Sequence, residues 1–157
     1  MDRPPNVEIS VTPSANGLDL AWSDVEDRLQ GSISPRYPVE GTQLDVSAHV
    51  GSFQGVEFDG PLTFSLKPIA STGGGKSMTV KRGPGEKAWR AHFVPQDSGY
   101  HTLEISFSTT RMKVASSKIL IGDAKVPRWP WWILVGVTGA VALGLGMRSL
   151  FRKAENT

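Results

Sequence analysis

Nineteen consecutive residues, Trp129 to Met147, carry no charged side chain. No other feature of the chain restricts its fold so strongly. At roughly 1.5 Å per residue a helix of this length about crosses a hydrocarbon core of ~30 Å. Lipid offers no hydrogen bonds, so a spanning segment satisfies its backbone as a helix. Continuing to Phe151 gives a span with room for tilt. Trp129, Trp131 and Trp132 crowd one end, and amphipathic indoles favour the headgroup layer. Arg148, Arg152 and Lys153 mark the other interface. Pro127 and Pro130 fit a linker and a first helical turn, where a missing N–H costs nothing. A buried core helix is the alternative, but one so uniformly apolar needs protein on all sides. The expected organisation is a polar domain over 1–124, a linker over 125–128, a transmembrane helix over 129–151 and a short polar tail over 152–157.

One face of this segment is lined with small residues. Gly136, Ala140 and Gly144 lie four apart, with Gly139 beside them and Ala142 and Gly146 nearby. Such spacing lets a second helix approach closely, so Gly136, Gly139, Ala140 and Gly144 are the expected helix-packing positions. Glycine is also simply frequent in membrane helices. The expected partners are the bilayer and other integral membrane subunits.

Residues 1–124 behave differently. Leu44, Val46, Ala48 and Val50 alternate with Gln43, Asp45, Ser47 and His49. Leu62, Phe64 and Leu66 alternate with Thr63, Ser65 and Lys67, and Leu103, Ile105 and Phe107 with Thr102, Glu104 and Ser106. A period of two marks strands with one buried and one wet face. Val7–Val11, Leu18–Trp22, Met78–Lys81, Trp89–Val94 and Met112–Ile121 are further candidates, the last with a less clean alternation. Gly and Pro clusters punctuate them at 13–17, 31–38, 51–60, 71–75 and 83–85. No sustained helical period occurs here, and Ser23–Arg36 has no clear period of either kind. Seven or eight short strands with frequent turns predict an antiparallel sandwich. Trp89 shares parity with Ala91 and Phe93, which predicts core packing. Trp22 and Tyr37 stay open between core and surface.

The segment Asp97-Ser98-Gly99-Tyr100-His101-Thr102-Leu103 resembles the E–F corner and F strand of immunoglobulin-like domains, whose pattern is Asp-x-Gly-x-Tyr-x-Cys. Asp97 and Gly99 match. His101 stands at the Tyr position, placed to make a similar bond, and Leu103 replaces the Cys. The stretch 93–99 before a strand, with Pro38-Val39-Glu40-Gly41-Thr42 before another, is similar to bacterial YtkA-like and FixH-like accessory domains. The resemblance covers roughly residues 36–121. It implies an immunoglobulin-like sandwich, so that with the uncharged run the expected fold is an all-β immunoglobulin-like sandwich followed by a single transmembrane α-helix. It also implies an accessory role in an energy-converting complex, respiratory or photosynthetic.

Chemistry is sparse. The absence of cysteine excludes disulfides, thiolate metal sites and a Cys nucleophile. A net charge of +2 without basic clusters excludes the usual footprint of nucleic acid. The YtkA-like resemblance implies an alternative function, copper handling or chaperoning, with His49, His92, His101, Met78 and Met112 as candidate ligands. No His-x-His or Met-x-x-Met cluster supports it. Ser71-Thr72-Gly73-Gly74-Gly75-Lys76-Ser77 is similar to a phosphate-binding loop, but Ala70 stands where the first Gly belongs, and strands are expected on both sides. Asp24, Glu26 and Asp27 form a cluster without calcium-loop spacing, expected as a solvated turn. No Gly-x-Ser-x-Gly elbow exists. The expectation is a non-catalytic protein with no cofactor or metal.

The charge bias across the span, Arg148, Arg152 and Lys153 against Lys125 and Arg128, predicts a cytoplasmic C-terminus and an extracytoplasmic sandwich. The start Met-Asp-Arg-Pro-Pro, with no apolar leader, supports the alternative of a tail-anchored protein with a cytoplasmic domain.

Overall fold

A computed structural model describes residues 7–53, 55, 57–70 and 74–124. The expected linker, transmembrane helix and tail (125–157) therefore lie outside the described residues. With them lie the small-residue positions Gly136, Gly139, Ala140 and Gly144 and the interface residues Trp129, Trp131, Trp132, Arg148, Arg152 and Lys153. Among the described residues no helix is long and apolar enough to cross a membrane.

Alternation of apolar and polar residues builds ten strands among the described residues. They are β1 (Val7–Glu8), β2 (Ser10–Pro13), β3 (Leu18–Ser23), β4 (Asp27–Ser34), β5 (Leu44–Ser52), β6 (Leu62–Pro68), β7 (Lys76–Val80), β8 (Trp89–Phe93), β9 (Gly99–Ser108) and β10 (Met112–Ile121). They form two five-stranded sheets, ordered β1-β10-β9-β6-β7 and β2-β3-β4-β5-β8. All pairings are antiparallel except β1 with β10. The molecule is thus an all-β two-sheet sandwich, an arrangement compatible with the immunoglobulin-like class.

The inward residues are those the alternation selects. Leu44, Val46, Ala48 and Val50 of β5 face Leu62, Phe64 and Leu66 of β6 and Leu103, Ile105 and Phe107 of β9 across one continuous core. Trp89 is fully buried, and its Nε1 donates to the Gly60 carbonyl at 3.0 Å. Trp22 is also in the core, edge-on to Phe107 at 5.9 Å, whereas Tyr37 is exposed.

Two sequence expectations are corrected, and the hairpin expected around the glycine-rich stretch is present. Val7–Val11 is not one strand: β1 joins one sheet, β2 joins the other, and Ile9 between them is buried. The Ser23–Arg36 region is not irregular. β4 occupies Asp27–Ser34, and its inward positions are Asp27, Leu29, Gly31 and Ile33. Two of those four are not apolar side chains, which hid the period. Gly31 is required by a close approach, since a Cβ there would lie 2.3 Å from the Ser47 carbonyl oxygen. The glycine-rich stretch before Lys76 leads into a strand, with Lys76 paired to Leu66 in a hairpin; its residues 71–73 lie outside the described ones.

Core and surface positions should separate cleanly on mutation. Phe64→Ala, at a site with no exposure, is expected to cost about 3–5 kcal/mol. Leu120→Ser, on the outer face, should stay within about 0.5 kcal/mol of the parent. Urea unfolding of the full chain in detergent, followed by tryptophan fluorescence, reads both. Equal losses would contradict the assignment of faces.

Candidate functional site

The turn between β3 and β4 is shaped by one carboxylate. Asp24 Oδ1 accepts the backbone N–H of Glu26 at 2.8 Å and of Asp27 at 2.7 Å. This Asx-type bonding, common where Asp begins a turn, aims three acids the same way. Their ligand atoms all lie within 4.8 Å of one another. The turn is not the solvated loop expected from sequence: Asp27 is only 3% exposed.

The cation that holds them is Lys113, at the second position of β10 and itself only 5% exposed. Its Nζ lies 2.8 Å from Asp24 Oδ2 and 3.0 Å from Glu26 Oε2, with Asp27 Oδ2 closest of the three. An ammonium has three N–H donors and no acceptor, so three carboxylates match its capacity. Thr109 Oγ1 donates to Asp27 at 2.7 Å and Thr110 Oγ1 to Glu26 at 3.1 Å. Arg111 stands further out, 3.8 Å from Asp24 and 3.9 Å from Glu26. The indole of Trp22 lies beneath, its ring centre 5.9 Å from Lys113 Nζ. The cluster therefore joins the β3–β4 turn of one sheet to the β9–β10 turn of the other.

Electrostatics follow from that geometry. Burial alone would raise the Asp24 pKa. The hydrogen bond from Lys113 and those from the Asp27 and Glu26 backbones outweigh it and hold the group at about 2. Burial likewise opposes the charge on Lys113, yet its bonds to Asp24, Asp27 and Glu26 hold its pKa above the usual lysine range. Glu26 is lowered chiefly by the bond from Lys113.

Beside this cluster lies an open cleft of about 460 Å³, whose lining includes Glu26, Asp27, Thr110, Glu57, Phe58 and Asp59. Arg82 takes Asp59 at 2.8 Å and Glu57 at 3.5 Å. Each carboxylate bordering the cleft thus already holds a cation of its own chain. A divalent ion at Asp24, Glu26 and Asp27 would have to displace the ammonium of Lys113.

The other candidates stay apart. His49 and His92 both face outward on the same sheet. His92 is in register with Asp45, four residues and about 13 Å along β5 from His49. His92 Nδ1 is bound to Asp45 at 2.6 Å, and His49 Nδ1 to the Lys87 carbonyl at 2.6 Å. His101 points into the core of the other sheet, its Nδ1 3.2 Å from the Gly99 carbonyl. That carbonyl can only accept, so Nδ1 carries the proton in this bond. Gly99, with φ +103°, supplies the corner that the sequence motif marked. Met78 on β7 and Met112 at the start of β10 meet none of these histidines: their strand partners are Phe64 and Ser108. The set proposed for copper is therefore not assembled into one site. Sequence reasoning missed Lys113. The signal was available as parity, since Lys113 shares its face with Ala115, Ile119 and Ile121.

No protein-family model matches the chain, and no curated protein matches it.

Lys113→Met should destabilise the full chain by about 3–5 kcal/mol, because it strips a buried carboxylate of its counter-charge. The pH dependence has a definite sign. A carboxylate with a depressed pKa adds stability that is present above its unfolded value of 3.8 and lost as pH falls through about 2. A lysine with a raised pKa adds stability that is present below its unfolded value of 10.5 and lost as pH rises through its higher folded value. Chemical denaturation across pH should therefore show a plateau between these limits and a fall on the acid side that is shallower in Lys113→Met. A parallel fall in both proteins would remove the cluster as its cause.

Proposed function

We propose that this chain is a non-catalytic, membrane-anchored accessory subunit of a multisubunit membrane complex, in which an immunoglobulin-like sandwich is tethered by one C-terminal helix. The observation that carries the reading is the uncharged run Trp129–Met147 with its tryptophan and arginine-lysine borders. It begins five residues after Ala124, whose backbone N–H still bonds Glu40 Oε1 at 3.2 Å. The small-residue face at Gly136, Gly139, Ala140 and Gly144 suits close packing against another helix. The sandwich suits a passive role: its core is closed, and the carboxylates at its cleft are all paired within the chain. The corner at Gly99 and His101 supports the immunoglobulin-like assignment, and the resemblance to accessory domains supports a respiratory or photosynthetic host. The charge bias across the uncharged run supports a sandwich outside the cytoplasm and a C-terminus within it.

A tagged chain solubilised from native membranes in mild detergent should bring down a fixed set of integral membrane subunits, identified by mass spectrometry. A monodisperse chain without partners would overturn the proposal. Ala140→Leu or Gly144→Leu, which crowd the small face, should release those subunits while leaving membrane insertion intact. Association that survives both would exclude this face as the contact.

A further inference from the structure

The two ends of the sandwich differ in kind. The ion cluster and cleft occupy the end with the β3–β4 and β9–β10 turns. The chain leaves from the opposite end, since β10 runs for about 30 Å from Met112 to Ile121. The exit is pinned there. Gly122 N–H donates to the Pro38 carbonyl at 2.8 Å, and Glu40 N–H to the Gly122 carbonyl at 3.0 Å.

At this exit end the outer face of the β1-β10-β9-β6-β7 sheet carries an apolar row. Leu120 of β10 is in register with Tyr100 of β9, and the N–H of Ile69, the residue that follows β6, donates to the Tyr100 carbonyl, so the three stand side by side. They are 56%, 60% and 51% exposed. One step along the same face, two residues further from the exit, the row is Lys67, Thr102 and Lys118. Directly opposite neighbours in a sheet have Cβ atoms about 4.5–5.5 Å apart, so apolar and cationic rows form one graded surface. Tyr37, 76% exposed, lies in the loop that pins the exit, with the Arg36 guanidinium 5.3 Å from its ring centre.

We propose that the row Ile69, Tyr100 and Leu120, backed by Lys118, is a lipid-contact surface that rests on anionic headgroups. The proposal depends on the membrane-anchor reading above. Three arguments select lipid over a protein partner. Ala124 and Trp129 are five peptide steps apart, at most about 18 Å, so the tether holds this end near any bilayer the chain enters. Tyrosine suits the headgroup layer, with its ring in the apolar boundary and its hydroxyl in water. Lys118 lies on the side of the apolar row away from the exit, placed to reach a phosphate with its ammonium group, whereas Lys67 beside it is held by Glu104 at 3.1 Å.

The test uses the full chain, whose lack of cysteine allows single-site labels. Ser98→Cys sits in the shallow groove beside Tyr100, and Val25→Cys, at an 88% exposed site, marks the opposite end. Each is labelled with an environment-sensitive fluorophore and reconstituted in phosphatidylcholine vesicles containing phosphatidylglycerol and a headgroup-region nitroxide lipid. Flotation first reads anchoring. In the floating fraction, quenching at position 98 should exceed that at 25 several-fold. The excess should vanish in Tyr100→Ser/Leu120→Ser and shrink in Lys118→Glu, both of which float as before. Equal quenching at 98 and 25 in a floating chain overturns this surface and leaves the anchor standing. A chain that fails to float overturns both. A label at 98 shielded from aqueous iodide in native membranes but unquenched by nitroxide lipid assigns the row to a protein partner and overturns the lipid assignment.

Discussion

A buried ammonium dictates its surroundings. Lys113 occupies an inward position of β10, and a charge so removed from water is tolerated only when its donors are all met. The chain meets them with three carboxylates from the other sheet, and the Asx bonding of Asp24 turns the β3–β4 corner so that all three converge. Thr109 and Thr110 then add one donor each, to Asp27 and to Glu26, from β10's own turn. Two hairpins that share no backbone hydrogen bonds are thereby fixed to each other. The core between the sheets begins directly behind this cluster, with Trp22 and Phe107 in edge contact.

The opposite end is built on another rule. It has no comparable ion cluster among the described residues, and its closure is made by backbone bonds around Gly122 and by the segment 38–42, where Gly41 N–H also bonds the Pro95 carbonyl at 2.8 Å. Apolar groups stand outward here in one row, Ile69, Tyr100 and Leu120, whereas the exposed apolar groups of the cluster end, Val25, Phe53 and Met112, lie on separate elements. Outward parity normally selects polar residues. On β9 polar groups hold it at Thr102, Glu104 and Ser106 and Tyr100 departs from it beside the exit, while on β10 Met112 and Val114 depart from it as well as Leu120. What gives the exit end its character is that Ile69, Tyr100 and Leu120 stand side by side in register.

The sandwich was legible in the sequence wherever inward positions were apolar. Leu44–Val50, Leu62–Leu66, Trp89–Phe93 and Leu103–Phe107 read directly as half-buried strands and are so. The reading failed where an inward position was filled for a reason other than hydrophobicity. β4 has Asp27 because an ion cluster needs it and Gly31 because Ser47 approaches too closely for a Cβ. The cluster was half legible for the same reason. Three acids close in sequence were visible, but their cation is 86 residues from Asp27, and only topology brings β10 beside that turn. The split at Ile9 was invisible because a buried residue between two strands looks, in one dimension, like a residue within one strand.

Replacing a buried ion cluster by apolar groups of the same volume often costs nothing in stability, so stability alone does not explain its presence here. Register does. In a sheet a slip of one residue exchanges the two faces. For β10 such a slip would expose Ala115, Ile119 and Ile121 and turn Lys118 and Leu120 inward, an exchange of hydrophobic groups that a plastic core partly absorbs. It would also carry Lys113 outward and leave Asp27 buried without its cation, which no repacking repairs. The chain has no cysteine, so no disulfide joins its sheets. A cross-sheet contact that tolerates only one partner geometry supplies the missing constraint. It acts on β10, the strand from which the chain continues toward its uncharged segment, so the register set at Lys113 also fixes which residue emerges at the exit.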